Sequence, residues 1–287
     1  MERDEIIKQV LGKDAHIVNQ IMGGMMNESF IVENRRKEYI LYMPTVHANE
    51  MVNRYLEKDN QRIVYNLGLT SKNVYFDPDK GIKINEFIKG QPLDKMDKED
   101  INLDYVAGVM KYLHNSSIKC QADYCPFRRL ESYEKEANSY IKKRSAEYLK
   151  YRQLLMDNKE YLESQELCLC HNDAQKSNII KEDKTNKYYI IDFEFMGNND
   201  PIYDIATYGN GDVAEGRELL TAYFGGLETE DEIRRYYLWR LFVSLQWHNV
   251  ALIKHYRGEG RATKFNFLDV ADYFMKNAQE AYKHLVA

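Results

Sequence analysis

Asp173 and Asn178 stand five residues apart, and Asp192 lies nineteen beyond Asp173, all within the stretch LCHNDAQKSNIIKEDKTNKYYIIDFEFMGNNDP that runs from Leu169 to Pro201. Two carboxylates and a carboxamide are hard oxygen donors of the kind that hold Mg²⁺ against phosphates. The plain alternative for the three together is an acidic surface turn. Cys168 and Cys170 precede His171, and Cys120 and Cys125 form a second pair. Neither spacing is the C-x₂-C of common zinc sites. The first pair instead fits alternate positions of a short apolar strand, where free cysteine packs as a small hydrophobe.

The elements that must position these groups fall into two kinds. SFIVENRRKEYILYM reads as two strands, Phe30 to Val32 and Tyr39 to Met43, joined by a charged turn. NEMVNRYLEKDNQRIVYNLGL has helical spacing, with Gly68 as its stop signal. NVYFDPDKGIKINEFI reads as a hairpin, with Val74 to Phe76 and Ile82 to Ile88 flanking an Asp-Pro-Asp-Lys-Gly turn. Residues 101–165 and 213–285 are tyrosine-rich and helical in period. The expected fold class is therefore α+β, with a small antiparallel β-sheet lobe at 1–88 and a mainly helical lobe at 89–287.

The composition suits two small cores: 287 residues, 44% hydrophobic and 30% charged. Forty basic against 45 acidic residues leave a net charge of −5, which argues against nucleic acid as the partner. The charged start MERDEIIKQVLGKD does not read as a signal peptide, and no apolar run approaches the roughly 20 residues of a membrane helix. The expectation is a cytoplasmic chain with a small-molecule partner, its oligomeric state open.

The order of the pieces carries more than any one of them. GGMMNESF places Gly23, Gly24 and Asn27 before a strand. A helix follows with Glu57, then a strand ending in Asn85-Glu86-Phe87, then His171-x-Asp173-x₄-Asn178 and Asp192-Phe193-Glu194. This order resembles a protein-kinase-like fold, and the H-x-D-x₄-N loop with its later D-F-E resembles the choline kinase and aminoglycoside phosphotransferase superfamily. FMGNNDPIYDIA, GIKINEFIKG and VNRYLEKDNQRI are similar to the bacterial LicA-type choline kinases. The resemblance covers the whole chain, strongest at 169–208 and weakest after 213.

The resemblance implies ATP and Mg²⁺ as cofactors and phosphorylation of choline or a related amino alcohol. Asp173 would orient the acceptor hydroxyl and accept its proton, while Asn178 and Asp192 would coordinate Mg²⁺. Gln175 would support the metal shell, His171 would prop the loop, and Asp204 would brace it. Backbone groups of Glu86 and Ile88 would read the adenine edge, and Gly23 to Asn27 would cover the phosphates. Glu194, Phe195, Tyr203, Tyr208 and Trp247 would line the acceptor site. For Trp247 a second reading stays open, since Trp239, Val243, Trp247 and Val250 share one helix face.

Two departures from the family pattern stand out. The third strand of such folds carries a Lys or Arg that pairs the phosphates and the helix glutamate. Here that position falls on Tyr42, so Glu57 lacks its usual partner unless Arg54 or Lys37 reaches it. Choline kinases often supply W-x-x-W from one late helix, and here the second tryptophan is Val250, which thins a cation–π cage. Ethanolamine kinase and aminoglycoside phosphotransferase are the neighbouring readings, and a weakly active pseudokinase binding module is the rival that Tyr42 favours.

Overall fold

The computed structural model describes residues 3–21, 26–45, 47–260 and 266–287, so Gly23 and Gly24 lie outside the described residues. The chain divides into two compact units. The first takes Met1–Met96 together with Ser177–Phe195, and the second takes Asp97–Lys176 and Met196–Ala287. This division differs from the one read at residue 88. Strand β6 (Gly90–Pro92) pairs with β8 (Ile179–Glu182), which in turn pairs with β9 (Tyr188–Ile190). That small sheet ties 177–195, with Asn178 and Asp192, into the first unit.

The first unit is built on a five-stranded antiparallel sheet of order β1-β2-β3-β5-β4, from β1 (His16–Ile21), β2 (Asn27–Asn34), β3 (Lys37–Pro44), β4 (Asn73–Asp77) and β5 (Ile82–Glu86). Alternation decides what each face carries. Phe30, Val32, Leu41, Ile82 and Ile84 form one apolar face, packed with Ile6 and Ile7 of α1 (Arg3–Leu11). Leu41 pairs directly with Ile84, so the next pair along, Tyr42 and Lys83, points to the opposite face. A slip of one residue in this register would send Lys83 into the apolar core.

The single helix expected over the NEMVNRYLEKD stretch is two helices, α2 (Ala48–Met51) and α3 (Arg54–Asn66), separated by extended backbone at Val52. The reason is local: Asn53 adopts an extended conformation and its side chain accepts from the Leu56 amide, so it starts a helix where the periodicity alone continues one. On α3 the buried face is mostly polar: Arg54, Glu57, Asn60 and Gln61, with Val64 as its one apolar member, recur at helical spacing.

The second unit is helical. Its axis is α10 (Glu230–Tyr256), which packs against α5 (Pro126–Tyr140), α8 (Pro201–Tyr208) and α11 (Phe267–Val286). Thr229 and Glu232 form a capping box at the start of α10, which accounts for the acidic run there. The Cys168–Cys170 segment is strand β7, paired antiparallel with β10 (Gly197–Asn199), as its alternation suggested. Among the described residues no helix is long and apolar enough to cross a membrane.

Candidate active site

The first unit gathers a buried ion network on the sheet face opposite the apolar core. Lys83 on β5 donates to Glu57 on α3 and lies 3.3 Å from Asp192, and its side chain is only 3% exposed. Arg54, one helical turn before Glu57, donates to Glu57 at 2.7 Å and to Glu194 at 2.6 Å. Asn27 at the head of β2 also donates to Glu194, at 2.6 Å. Glu57 therefore has two cationic partners. Of the pair considered from the sequence, Arg54 reaches it, and the second cation is Lys83. Burial depresses the Lys83 ammonium, but Glu57, then Asp192 and Glu194, outweigh it and hold it above its ordinary range. Burial also raises the Tyr42 hydroxyl, so this residue stays neutral.

Asn178 and Asp192 sit at the base of the β8–β9 hairpin, where the Ile191 amide donates to the Asn178 carbonyl at 2.9 Å. Asp192 has φ 68°, a left-handed conformation that few non-glycine residues adopt and that aspartate and asparagine tolerate best, of the kind that collects at functional positions. Two cations against three carboxylates (Lys83 and Arg54; Glu57, Glu194 and Asp192) leave one negative charge in excess. Burial, then repulsion from Glu194, push the Asp192 carboxyl up to about 7, with Lys83 pulling the other way. Carboxylate oxygens of Glu57, Asp192 and Glu194 lie within 4.8 Å of one another. Glu57 and Glu194 already accept from Lys83, Arg54 and Asn27, so Asp192 is the member of the cluster that a hard divalent cation would take as an oxygen ligand, bringing the charge the cluster lacks.

In the second unit the loop from His171 to Gln175 is held from below by α8. Asp200 caps that helix, accepting from the Ile202 amide at 2.9 Å, and Pro201 occupies its first turn. Asp200 also accepts from the Trp239 indole at 2.7 Å. This frame aims Asp204, which is fully buried and accepts from the backbone amides of His171 at 2.8 Å and Asn172 at 2.6 Å. His114 adds a third contact to Asp204 at 2.9 Å. Thr207, one turn later, accepts from the Ala174 amide at 3.0 Å. Asn172 has φ 63°, so the loop turns sharply just before Asp173. The Asp173 amide donates to the His171 ring, and Gln175 donates to the Asp173 carboxylate at 3.2 Å.

Of the aromatic candidates, Tyr203, Tyr208 and Trp247 belong to the second unit and Phe195 to the first. Tyr203 is fully buried; its ring meets Trp239 edge-on at 5.2 Å, and its hydroxyl lies 3.3 Å from that of Tyr124 and 3.4 Å from Gln246. Tyr208 lines a cavity of about 300 Å³ with Lys98, Lys176, Glu215 and Glu218. Trp247 stacks on Phe274 of α11 at 6.4 Å, and Phe195 is buried in the first unit. In the strand preceding residue 88, the Glu86 amide donates to the Lys72 carbonyl.

Sequence reasoning missed Lys83, His114, Tyr124 and Gln246. Lys83 lies between Ile82 and Ile84 in a strand, and only the register of β5 against β3 places it opposite Tyr42. His114 closes α4 (Leu103–His114), and nothing local marks its distant partner.

A family model described as choline/ethanolamine kinase matches residues 18–214. The chain is 26% identical over 197 residues to the protein LicA of Haemophilus influenzae, covering 65% of this chain; it spans 56% of that relative's length. The structure of choline kinase LicA from Streptococcus pneumoniae is similar with a TM-score of 0.79 at 25% identity, covering 99% of this chain and 97% of that one. A LicA structure in complex with AMP gives a TM-score of 0.77 at 24% identity, covering 99% and 96%. The fold is the protein-kinase-like α+β fold of these structures.

Proposed function

The chain belongs to the choline/ethanolamine kinase family, and from that premise we propose that it transfers the terminal phosphate of ATP to the hydroxyl of choline, giving phosphocholine and ADP. The observation that carries this reading is the clamp on the loop before Asp173. A single buried carboxylate, Asp204, takes two consecutive backbone amides there, which fixes where the Asp173 carboxylate stands. Phosphoryl transfer asks the protein mainly for positioning and charge complementarity, so a rigid base is the first requirement.

In this reading Asp173 accepts the hydroxyl proton of the acceptor as the oxygen attacks, with Gln175 holding the carboxylate's second edge. Asn178 and Asp192 would hold Mg²⁺, which would supply positive charge against the phosphates. Glu57 and Glu194, themselves fixed by Arg54, keep the network of the first unit in register. The Glu86 amide is committed to Lys72, so recognition of the adenine edge falls to its carbonyl and to the Ile88 amide. Asn27 anchors the start of β2 through its bond to Glu194.

A specific observation favours ethanolamine as the second reading. Tyr203 and Trp247 are buried among other aromatics, and a primary ammonium needs hydrogen-bond acceptors more than open aromatic faces. Phosphorus NMR of the product mixture, with choline and ethanolamine supplied separately, decides between them. A phosphomonoester formed only with choline supports the first reading, and one formed only with ethanolamine moves the substrate.

A further inference from the structure

We propose that Lys83 on β5 is the residue that pairs the nucleotide phosphates in this chain, replacing the cation that Tyr42 does not supply. The inference rests on the kinase reading above and goes beyond it by assigning the phosphate contact to a different strand. Three observations carry it.

The first is register. Tyr42 and Lys83 are direct partners across the β3–β5 pair, and directly opposed residues project from the same face of an antiparallel sheet. A cation at 83 therefore occupies the space that a cation at 42 would enter. The Lys83 ammonium lies 4.8 Å from the centre of the Tyr42 ring, so the tyrosine forms a wall of the lysine's site.

The second is partnership. Lys83 contacts Glu57 on α3 and Asp192, the expected metal ligand. A phosphate-pairing lysine needs both: the glutamate to aim it, and closeness to the metal that bridges the same phosphates. Arg54 meets only part of this requirement. Its contacts run to Asn49, Glu57 and Glu194, which makes it the inner strut of the network.

The third is donor capacity. An ammonium has three hydrogens, and among the described residues two are directed to Glu57 and Asp192. The third can serve a phosphate oxygen. A lysine in the middle of a strand buried on both faces has no need of solvent-facing chemistry, and a purely apolar residue would pack there at lower desolvation cost.

The test compares ATP with adenosine, which lacks the phosphates, by calorimetric titration. In Lys83→Met, ATP affinity is expected to fall about 30-fold, the loss of one charge-assisted hydrogen bond, while adenosine affinity stays within about twofold. The double variant Lys83→Met with Tyr42→Lys, which returns the cation to β3, is expected to recover most of the loss. Equal losses for ATP and adenosine, or no recovery in the double variant, would show a structural role and overturn the assignment. Wild-type protein supplies a measurement that needs no variant: an ATP analogue carrying an acyl group on its terminal phosphate acylates the nearest lysine amine. Labelling mapped to Lys83 supports the proposal, and labelling of another lysine or of none contradicts it. These readouts are independent of acceptor turnover. A protein that binds ATP through Lys83 and phosphorylates no amino alcohol would lose the kinase reading and keep this one.

Discussion

Lys83 and Tyr42 face one another across two hydrogen-bonded strands, the ammonium 4.8 Å from the ring centre, and the same ammonium reaches Glu57 on the helix behind. The missing cation of β3 is therefore met one strand away on the same face. This removes the main sequence argument for a non-catalytic binding module, because Glu57 keeps its cationic partner.

Arg54 is the strut of that network, 3% exposed and bonded to two carboxylates. Removing it strands Glu57 and Glu194 without their shared partner. Arg54→Met is expected to cost about 3–5 kcal/mol in denaturant unfolding, the usual loss when one side of a buried ion pair is deleted. A loss below about 1 kcal/mol would place the network among weak surface pairs.

Asp192 makes the site pH-dependent. Its folded-state value of about 7 stands above the ordinary 3.8, so in the metal-free protein its contribution to stability is complete below 3.8 and is lost as pH rises through about 7. On the proposed reading magnesium would reverse the sense, since it would bind the ionised carboxylate. Its apparent affinity should rise about tenfold per pH unit up to about pH 7 and level off above. Titrations of Mg²⁺ at about pH 6 and about pH 8 check this, and equal affinities at the two would contradict it.

Asp204 is fully buried and bonds the backbone of the loop before Asp173. Asp204→Asn removes an acceptor from two amides and His114, and should lower stability by about 3 kcal/mol. If its role is to hold the Asp173 loop, kcat falls while ATP affinity is retained. Unchanged kcat in a folded variant would show that the clamp is not needed for turnover.

Trp247 separates cage from core. Stacked on Phe274 and 6% exposed, it is expected to behave as packing: Trp247→Ala should cost about 3–5 kcal/mol, with little change in the KM for choline. A large rise in KM with stability intact would return it to the acceptor site.

How far the fold and site were legible depended on how local each signal was. The strands around Phe30, Tyr39 and Ile84 were legible as short apolar runs between turn signals, whereas the bracing role of Asp204 came only from the family resemblance, and the Asp200 cap that sets it one turn into α8 is seen only in the structure. The break at Val52–Asn53 was hidden because a capping asparagine leaves the helical periodicity almost intact. Lys83 was hidden for a different reason. Its partners lie 26 and 109 residues away, and only strand register, which the sequence specifies indirectly, brings them together. His114 and Gln246 were invisible on the same ground.

The measurement that tests the central claim most directly is steady-state ADP release with Mg²⁺ and ATP, with and without choline, in the wild type and in Asp173→Asn. The account predicts choline-dependent turnover in the wild type and a fall of about 10²–10⁴ in kcat in the variant, with ATP binding unchanged. Turnover that survives in Asp173→Asn, or ADP release that no amino alcohol stimulates in a protein that binds ATP, would contradict it.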